Sequence, residues 1–134
     1  MGNLKPVALY STDKGSIFEK KLAFSYLSGY ILHMLEIKQT DEFRNWMKKL
    51  RDIRVNTLIA KRLERIVLGN FGDHKRIDSK ILELRIDYGP GYRVYYMNTG
   101  KEIILLLIGG DKSSQKSDIK RAKELANEIG GKYD

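Results

Sequence analysis

Cysteine is absent from this chain of 134 residues, which excludes disulfides and thiolate sites of any kind. Long apolar runs are absent as well, and none approaches the roughly 20 residues of a membrane helix. No carboxylate or histidine cluster stands at metal-ligand spacing, so neither a metal nor another cofactor is expected. The sequence has no internal repeat and no low-complexity tract. A signal peptide is not expected, because Glu19, Lys20 and Lys21 interrupt any apolar core near the start. With no cysteine to oxidise, a reducing cytoplasm is the expected location.

What the chain does have is positive charge. Its net charge is +8, with 25 basic against 17 acidic residues, which favours a polyanionic partner such as nucleic acid or an acidic protein. The apolar share of 42% is ordinary for a soluble globular protein. The length suits one domain with one core.

The chain divides near Met34. Residues 1–33 include "KGSIFEKKLAFSYLSGYILH", rich in aromatic, aliphatic and lysine residues without a clean period. Three readings fit this N-terminal extension. It packs Ile17, Phe18, Phe24 and Tyr26 on the domain; it forms a short amphipathic helix for a partner; or Met34 is the natural start. Its scattered apolar residues predict a small contribution to the core.

From Met34 onward, start and stop signals punctuate every segment. "MLEIKQ" alternates as a half-buried strand does. Thr40 is a good N-cap, and Asp41 and Glu42 suit the positive end of a helix. Phe43, Trp46, Met47 and Leu50 then recur at helical spacing, predicting a helix over 41–50. Asp52 caps a second helix with a stripe of Val55, Leu58, Ile59, Leu63, Ile66 and Val67, stopped at Gly69. Residues 70–80 read as a polar loop. "ILELRIDY", "YRVYYMN" and "EIILLLIGG" read as three antiparallel strands with short turns. The last is apolar on both faces, as an interior strand is. A final helix carries Ile119, Ala122, Leu125, Ala126 and Ile129. The expected fold is an α+β domain of order β-α-α-β-β-β-α, its sheet antiparallel and its helices on one face.

Arginines stand inside this hairpin, in "ELRIDYGPGYRVYY". Alternation puts Leu82, Leu84 and Ile86 on one face and Glu83, Arg85 and Asp87 on the other. On the next strand Arg93, Tyr95 and Met97 oppose Tyr92, Val94 and Tyr96. Pairing the apolar sets under the helices brings Arg85 and Arg93 out together on an uncovered face. Two readings follow: a solvated face laced by Arg–Glu and Arg–Asp pairs, or a cationic patch. Arginine grips phosphate oxygens with a planar fork, and Tyr95 offers a ring for stacking a base. Lys112, in the loop after the interior strand, can border the same face.

The stretch from "GNFGDHKRIDSKILELRIDYGPGYRVYY" to "LLLIGGDKSSQKSDIKRAKELA" resembles the addiction-module killer proteins, the HigB-like branch of the RelE/ParE toxin superfamily. The resemblance spans about residues 34–129. It implies a RelE-like fold and a small toxin of a type II toxin–antitoxin pair. RelE-like members cleave mRNA in the ribosomal A site and arrest translation; ParE-like members poison DNA gyrase. The implied partner is an antitoxin, usually a HigA-like helix-turn-helix protein that also represses the operon, so operator DNA is met only through it. Arg93 matches the "GYR" arginine of RelE-type enzymes, Arg85 matches an arginine on the preceding strand, and Lys112 approximates the basic residue of the late loop. RelE-type enzymes carry lysines where this chain has Ile81 and Glu83, and a catalytic tyrosine near the place of Asp118.

Metal-independent RNA cleavage needs a base for the 2′-hydroxyl, cations for the phosphorane charge and an acid for the leaving oxygen. Arg85, Arg93 and Lys112 can supply the cations. Glu83 is a candidate base, competing with a structural role as their ion-pair partner. Lys75 and His74, in the polar loop, are candidate RNA contacts alongside Tyr95.

Overall fold

A computed structural model describes residues 4–6, 35–100 and 103–130 of the protein. Its elements run β1 (Lys5–Pro6), β2 (Glu36–Gln39), α1 (Asp41–Lys49), α2 (Ile53–Val67), β3 (His74–Arg76), β4 (Ile81–Ile86), β5 (Tyr92–Asn98) and β6 (Ile103–Asp111). A 3₁₀ turn, Lys112–Ser114, leads into α3 (Gln115–Gly130). The expected extension over 1–33 lies outside the described residues except for 4–6, as does Met34.

Local chemistry sets the helix ends. The Thr40 hydroxyl accepts from the Phe43 N–H at 3.0 Å, and Asp41 and Glu42 occupy the first turn of α1. Asp52 caps α2 by accepting from the Arg54 N–H at 2.9 Å. The chain leaves α2 at Gly69, whose φ of +87° is a conformation that glycine adopts without a Cβ clash.

The six strands form one sheet in the order β1-β2-β6-β5-β4-β3. The sheet is α+β as expected, but it is mixed rather than antiparallel. β2 runs parallel to β6, with Ile37 beside Ile104. Everything from α1 to β5 intervenes between the two, and a crossover of that length permits parallel pairing. Two further strands extend the sheet. The exposed triplet His74–Arg76 was expected to be loop, yet it pairs antiparallel with β4 as an edge strand. β1 pairs antiparallel with β2, Lys5 lying opposite Gln39.

The helices pack on both faces, not one. On one face α1 and α2 bury Phe43, Val55, Ile59, Leu63 and Ile66 against Leu84, Val94, Tyr96, Ile104 and Leu106. On the other, α3 buries Ala122, Leu125, Ala126 and Ile129 against Ile81, Tyr95, Met97, Leu105 and Leu107. The physical reason lies in β5 and β6, which carry apolar side chains on both faces. Each such side chain gains about 1.5–3 kcal/mol by burial, so a one-sided cover would leave Met97, Leu105 and Leu107 in water.

A bulge interrupts the β5–β6 ladder. Tyr95 pairs with Ile108 but Tyr96 pairs with Leu106, leaving Leu107 as the extra residue. The Leu107 carbonyl accepts from the Thr40 hydroxyl at 2.6 Å, so the cap of α1 also pins the bulge. Beyond it come two glycines that face opposite ways. A Cβ on Gly109 would lie 2.2 Å from the Trp46 indole, and one on Gly110 would lie 1.8 Å from Asp118 Oδ2. Both positions are glycine because a side chain already occupies the space.

Candidate functional site

Cross-strand register brings the cationic side chains together. Arg85 lies directly opposite Arg93, and Glu83 lies opposite Tyr95 and Lys75. All five therefore share the α3 face of the sheet. That face was expected to be free of helices. In fact α3 packs on this face over Ile81, Tyr95 and Met97, and Gln115 in its first turn reaches Glu83, the ion-pair partner of the arginines.

Two like charges directly opposite would be destabilising alone. Glu83 answers them both. Its side chain is 0% exposed, with Arg85 Nε donating to Oε1 at 3.0 Å and Arg93 Nε 3.8 Å from the same oxygen. Gln115 Nε2, in the first turn of α3, donates to Oε2 at 2.8 Å. Burial alone would raise the Glu83 pKa, but the bonds from Arg85 and Gln115 and the charge of Arg93 hold it below the usual carboxylate value. Its partner Arg85 is pushed up, chiefly by its bond to Glu83. Glu83 is thus a charged counter-ion sealed beneath the arginines, and of its two expected roles the geometry displays the ion pair. A base would need access to a 2′-hydroxyl, and a fully buried carboxylate gives none.

Above this pair an open cavity of about 370 Å³ is lined by Asp73, Arg85, Asp87, Gly89, Pro90, Gly91, Arg93 and Lys112. Three of the predicted site residues meet here. Gly91, at φ +81°, forms part of the wall. A Cβ on it would lie 3.4 Å from Arg93 Nη1 and 3.6 Å from Lys112 Cβ, so glycine keeps the space between those cations open. Arg93 is more enclosed than Arg85, with side chains 15% and 36% exposed. Its Nη1 donates to the Tyr92 carbonyl at 3.1 Å, whereas its buried Nε makes no hydrogen bond among the described residues.

The remaining candidates are placed differently. Tyr95 was expected beside Arg93 on an uncovered face. Its ring is wholly buried beneath α3 and offers no surface to a base. Burial, and then the neighbouring charge of Glu83, push its phenol well above the usual tyrosine value. Lys75 is exposed on β3 and shares the arginine face through its pairing with Glu83. His74 falls on the opposite face, its Nδ1 2.8 Å from the Gly72 carbonyl and its ring 5.9 Å from that of Phe71.

Three residues that sequence reasoning did not single out shape the site. Gln115 holds Glu83 from a position 32 residues away in sequence. Asp118 receives the Ser114 hydroxyl at 2.5 Å, and burial raises its pKa above the usual aspartate value. Arg62, from α2, donates to the carbonyls of Arg85 at 2.5 Å and Asp73 at 3.0 Å, and so ties the end of β4 to the loop that forms the cavity rim. A cation lying three residues after Ile59 and one before Leu63 could have been read as half-buried, but its acceptors are backbone atoms that sequence does not show.

Fold and site together define a basic α+β domain with an arginine-lined cavity at the open end of a mixed sheet. None of the described helices is long and apolar enough to cross a membrane. An uncharacterized protein of Haemophilus influenzae is 49% identical over 96 residues, which cover 72% of this chain and 97% of that relative. The chain belongs to the family of that Haemophilus influenzae protein. No protein-family model matches the chain, and no solved structure matches it.

Proposed function

We propose that this chain is the toxin of a type II toxin–antitoxin pair, a HigB-like member of the RelE/ParE superfamily. In this reading it is a metal-independent, ribosome-dependent mRNA endoribonuclease that arrests translation in the cytoplasm. The observation that carries the reading is the cavity in which Arg85, Arg93 and Lys112 converge. Fixed cations at a scissile phosphate favour the phosphorane, whose charge exceeds that of the ground state, and they do so without reorganising during the reaction. Arginine is charged at any working pH and is a stabiliser rather than a base. The ribosome aligns the mRNA, so that orientation supplies much of the rate. The partners are mRNA, the ribosome and a HigA-like helix-turn-helix antitoxin through which alone operator DNA is contacted.

The test is short induction in a bacterial host. Cleaved transcripts and rapid translation arrest are expected. Arg93→Ala should abolish the arrest at matched expression, since loss of one contact to a developing charge costs about 10²–10³ in rate. Full toxicity of that variant would remove Arg93 from the site. A second reading is a ParE-like, non-enzymatic inhibitor of DNA gyrase, favoured by the burial of Glu83, which leaves the cavity without its expected base. Its signature in the same experiment is DNA-damage signalling with intact transcripts.

A further inference from the structure

The arginine pair is held from beneath in a particular way. Glu83 meets both guanidinium groups at their Nε edges, through one oxygen, and none of the described residues hydrogen-bonds either Nη group of Arg85. The second Glu83 oxygen is taken by Gln115. Gln115 is the first residue of α3, and it follows a 3₁₀ turn capped by Asp111, whose Oδ1 accepts from the Ser113 N–H at 2.8 Å. The same turn begins at Lys112, the third cation of the cavity. A chain of direct hydrogen bonds therefore runs from the helix start through a buried carboxylate to Arg85, and an ion pair at 3.8 Å extends it to Arg93.

We infer that Glu83 and Gln115 are a positioning pair, which presents the Nη edges of Arg85 and Arg93 to a phosphate group of the substrate backbone. The inference rests on the phosphate-binding reading above and adds to it the residues that set its geometry. The opposing view of the same contacts is simple competition, in which Glu83 is an internal anion that neutralises the arginines and hinders an incoming phosphate. The two views differ in sign. Glu83→Gln keeps the size and an acceptor oxygen but adds one unit to a net charge of +8. Competition makes this variant bind phosphate more tightly, and so does the general attraction of a more positive protein for a polyanion. Positioning makes it bind less tightly.

The experiment measures binding of the full chain to a fluorescein-labelled, 2′-O-methylated RNA oligonucleotide, which cannot be cleaved, by anisotropy over a series of salt concentrations. Orienting partners behind metal ligands are worth about 10–100-fold in affinity, and a loss of roughly tenfold is expected for Glu83→Gln. Its salt slope should stay unchanged, because the number of cations facing phosphate is the same. Gln115→Met leaves the charge of Glu83 in place and should also weaken binding. The double variant should fall short of the product of the single losses, because both substitutions break one chain of contacts. Glu83→Gln binding as tightly as the unaltered chain, or more tightly, overturns the inference. Where Glu83→Gln does not fold, unchanged binding by Gln115→Met, a half-buried helix position, overturns it equally. Failure of the unaltered chain to bind the RNA removes the phosphate reading and the inference with it. Binding by the unaltered chain that neither variant disturbs removes the inference alone.

Discussion

Alanine at Gly109 is a test of how tightly the late strand is locked to α1. Gly109 has no positive φ, so alanine there meets only a steric obstacle. Its Cβ would lie 2.2, 2.3 and 2.5 Å from three carbons of the Trp46 indole. Non-bonded carbons settle at about 3.5–4.0 Å, so ring and strand must separate by roughly 1.5 Å. The ring has little room to turn, standing 5.7 Å from Phe43, itself buried, and 6.5 Å from Tyr92. Overpacking of a filled site costs about 1–3 kcal/mol, and a clash with a rigid ring belongs near the top of that range. At roughly 4 °C per kcal/mol for a domain of this size, the melting temperature should fall by about 10 °C. Urea unfolding followed by circular dichroism gives the free energy, and the single tryptophan reports its own displacement by fluorescence. In a Trp46→Ala background the same substitution should cost less than about 0.5 kcal/mol, since the obstacle is gone. A Gly109→Ala cost within about 0.5 kcal/mol of zero in the original chain, or an equal cost in both backgrounds, would refute the reasoning.

Thr40→Ala removes the α1 cap and leaves the Leu107 carbonyl without its partner, so about 2–3 kcal/mol should be lost in denaturant unfolding; a loss below about 0.5 kcal/mol would show that the bulge is held by other means. Asp118 has a folded pKa raised by burial, so its contribution is fully present below the ordinary aspartate pKa and is lost as pH rises through the folded value. Asp118→Asn should therefore melt higher than the unaltered chain at neutral pH, with the gap closing in acid, and a gap that widens in acid would reverse the sign argued here. Glu83 is the opposite case, stabilising above the usual carboxylate range and failing as pH falls through its lowered value, so Glu83→Gln should be most destabilising near neutrality. A chain begun at Met34 loses β1 and the packing of the half-buried Leu4. It should give up less than about 2 kcal/mol, the scale of one deleted core side chain, and a larger loss in thermal unfolding would make the extension structural.

The parts of the fold that were legible in the sequence are those that adjacent residues decide. Thr40 and Asp52 announce helix starts because a cap bonds only two or three residues onward. The alternation in "ILELRI" and "YRVYY" places Arg85 and Arg93 on one face because the period of a strand is fixed. What escaped was decided at a distance. His74–Arg76 carries no strand signal, since its three residues are exposed and only the pairing with β4 orders them. The parallel union of β2 and β6 joins segments more than sixty residues apart, with no local mark on either. The two-faced apolarity of β6 was visible and did call for helices on both sides. Tyr95 was assigned to open surface because only one side was taken as covered. The convergence of Arg85, Arg93 and Lys112 could be expected from register and loop position. The hold of Gln115 on Glu83 could not, because no spacing rule links positions 83 and 115.

The bulge at Leu107 changes the parity of the strand that carries it. Before it, the odd-numbered Leu105 and Leu107 face α3; after it, the even-numbered Ile108 and Gly110 do. One residue more or less anywhere between Leu106 and Gly109 would exchange the two glycines, setting a side chain against Trp46 or Asp118 and turning the approach to Lys112 toward the wrong face. Substitutions along this stretch are local insults. Insertions and deletions are frame errors in three dimensions, and the cation cavity is the part of the molecule that would register them first.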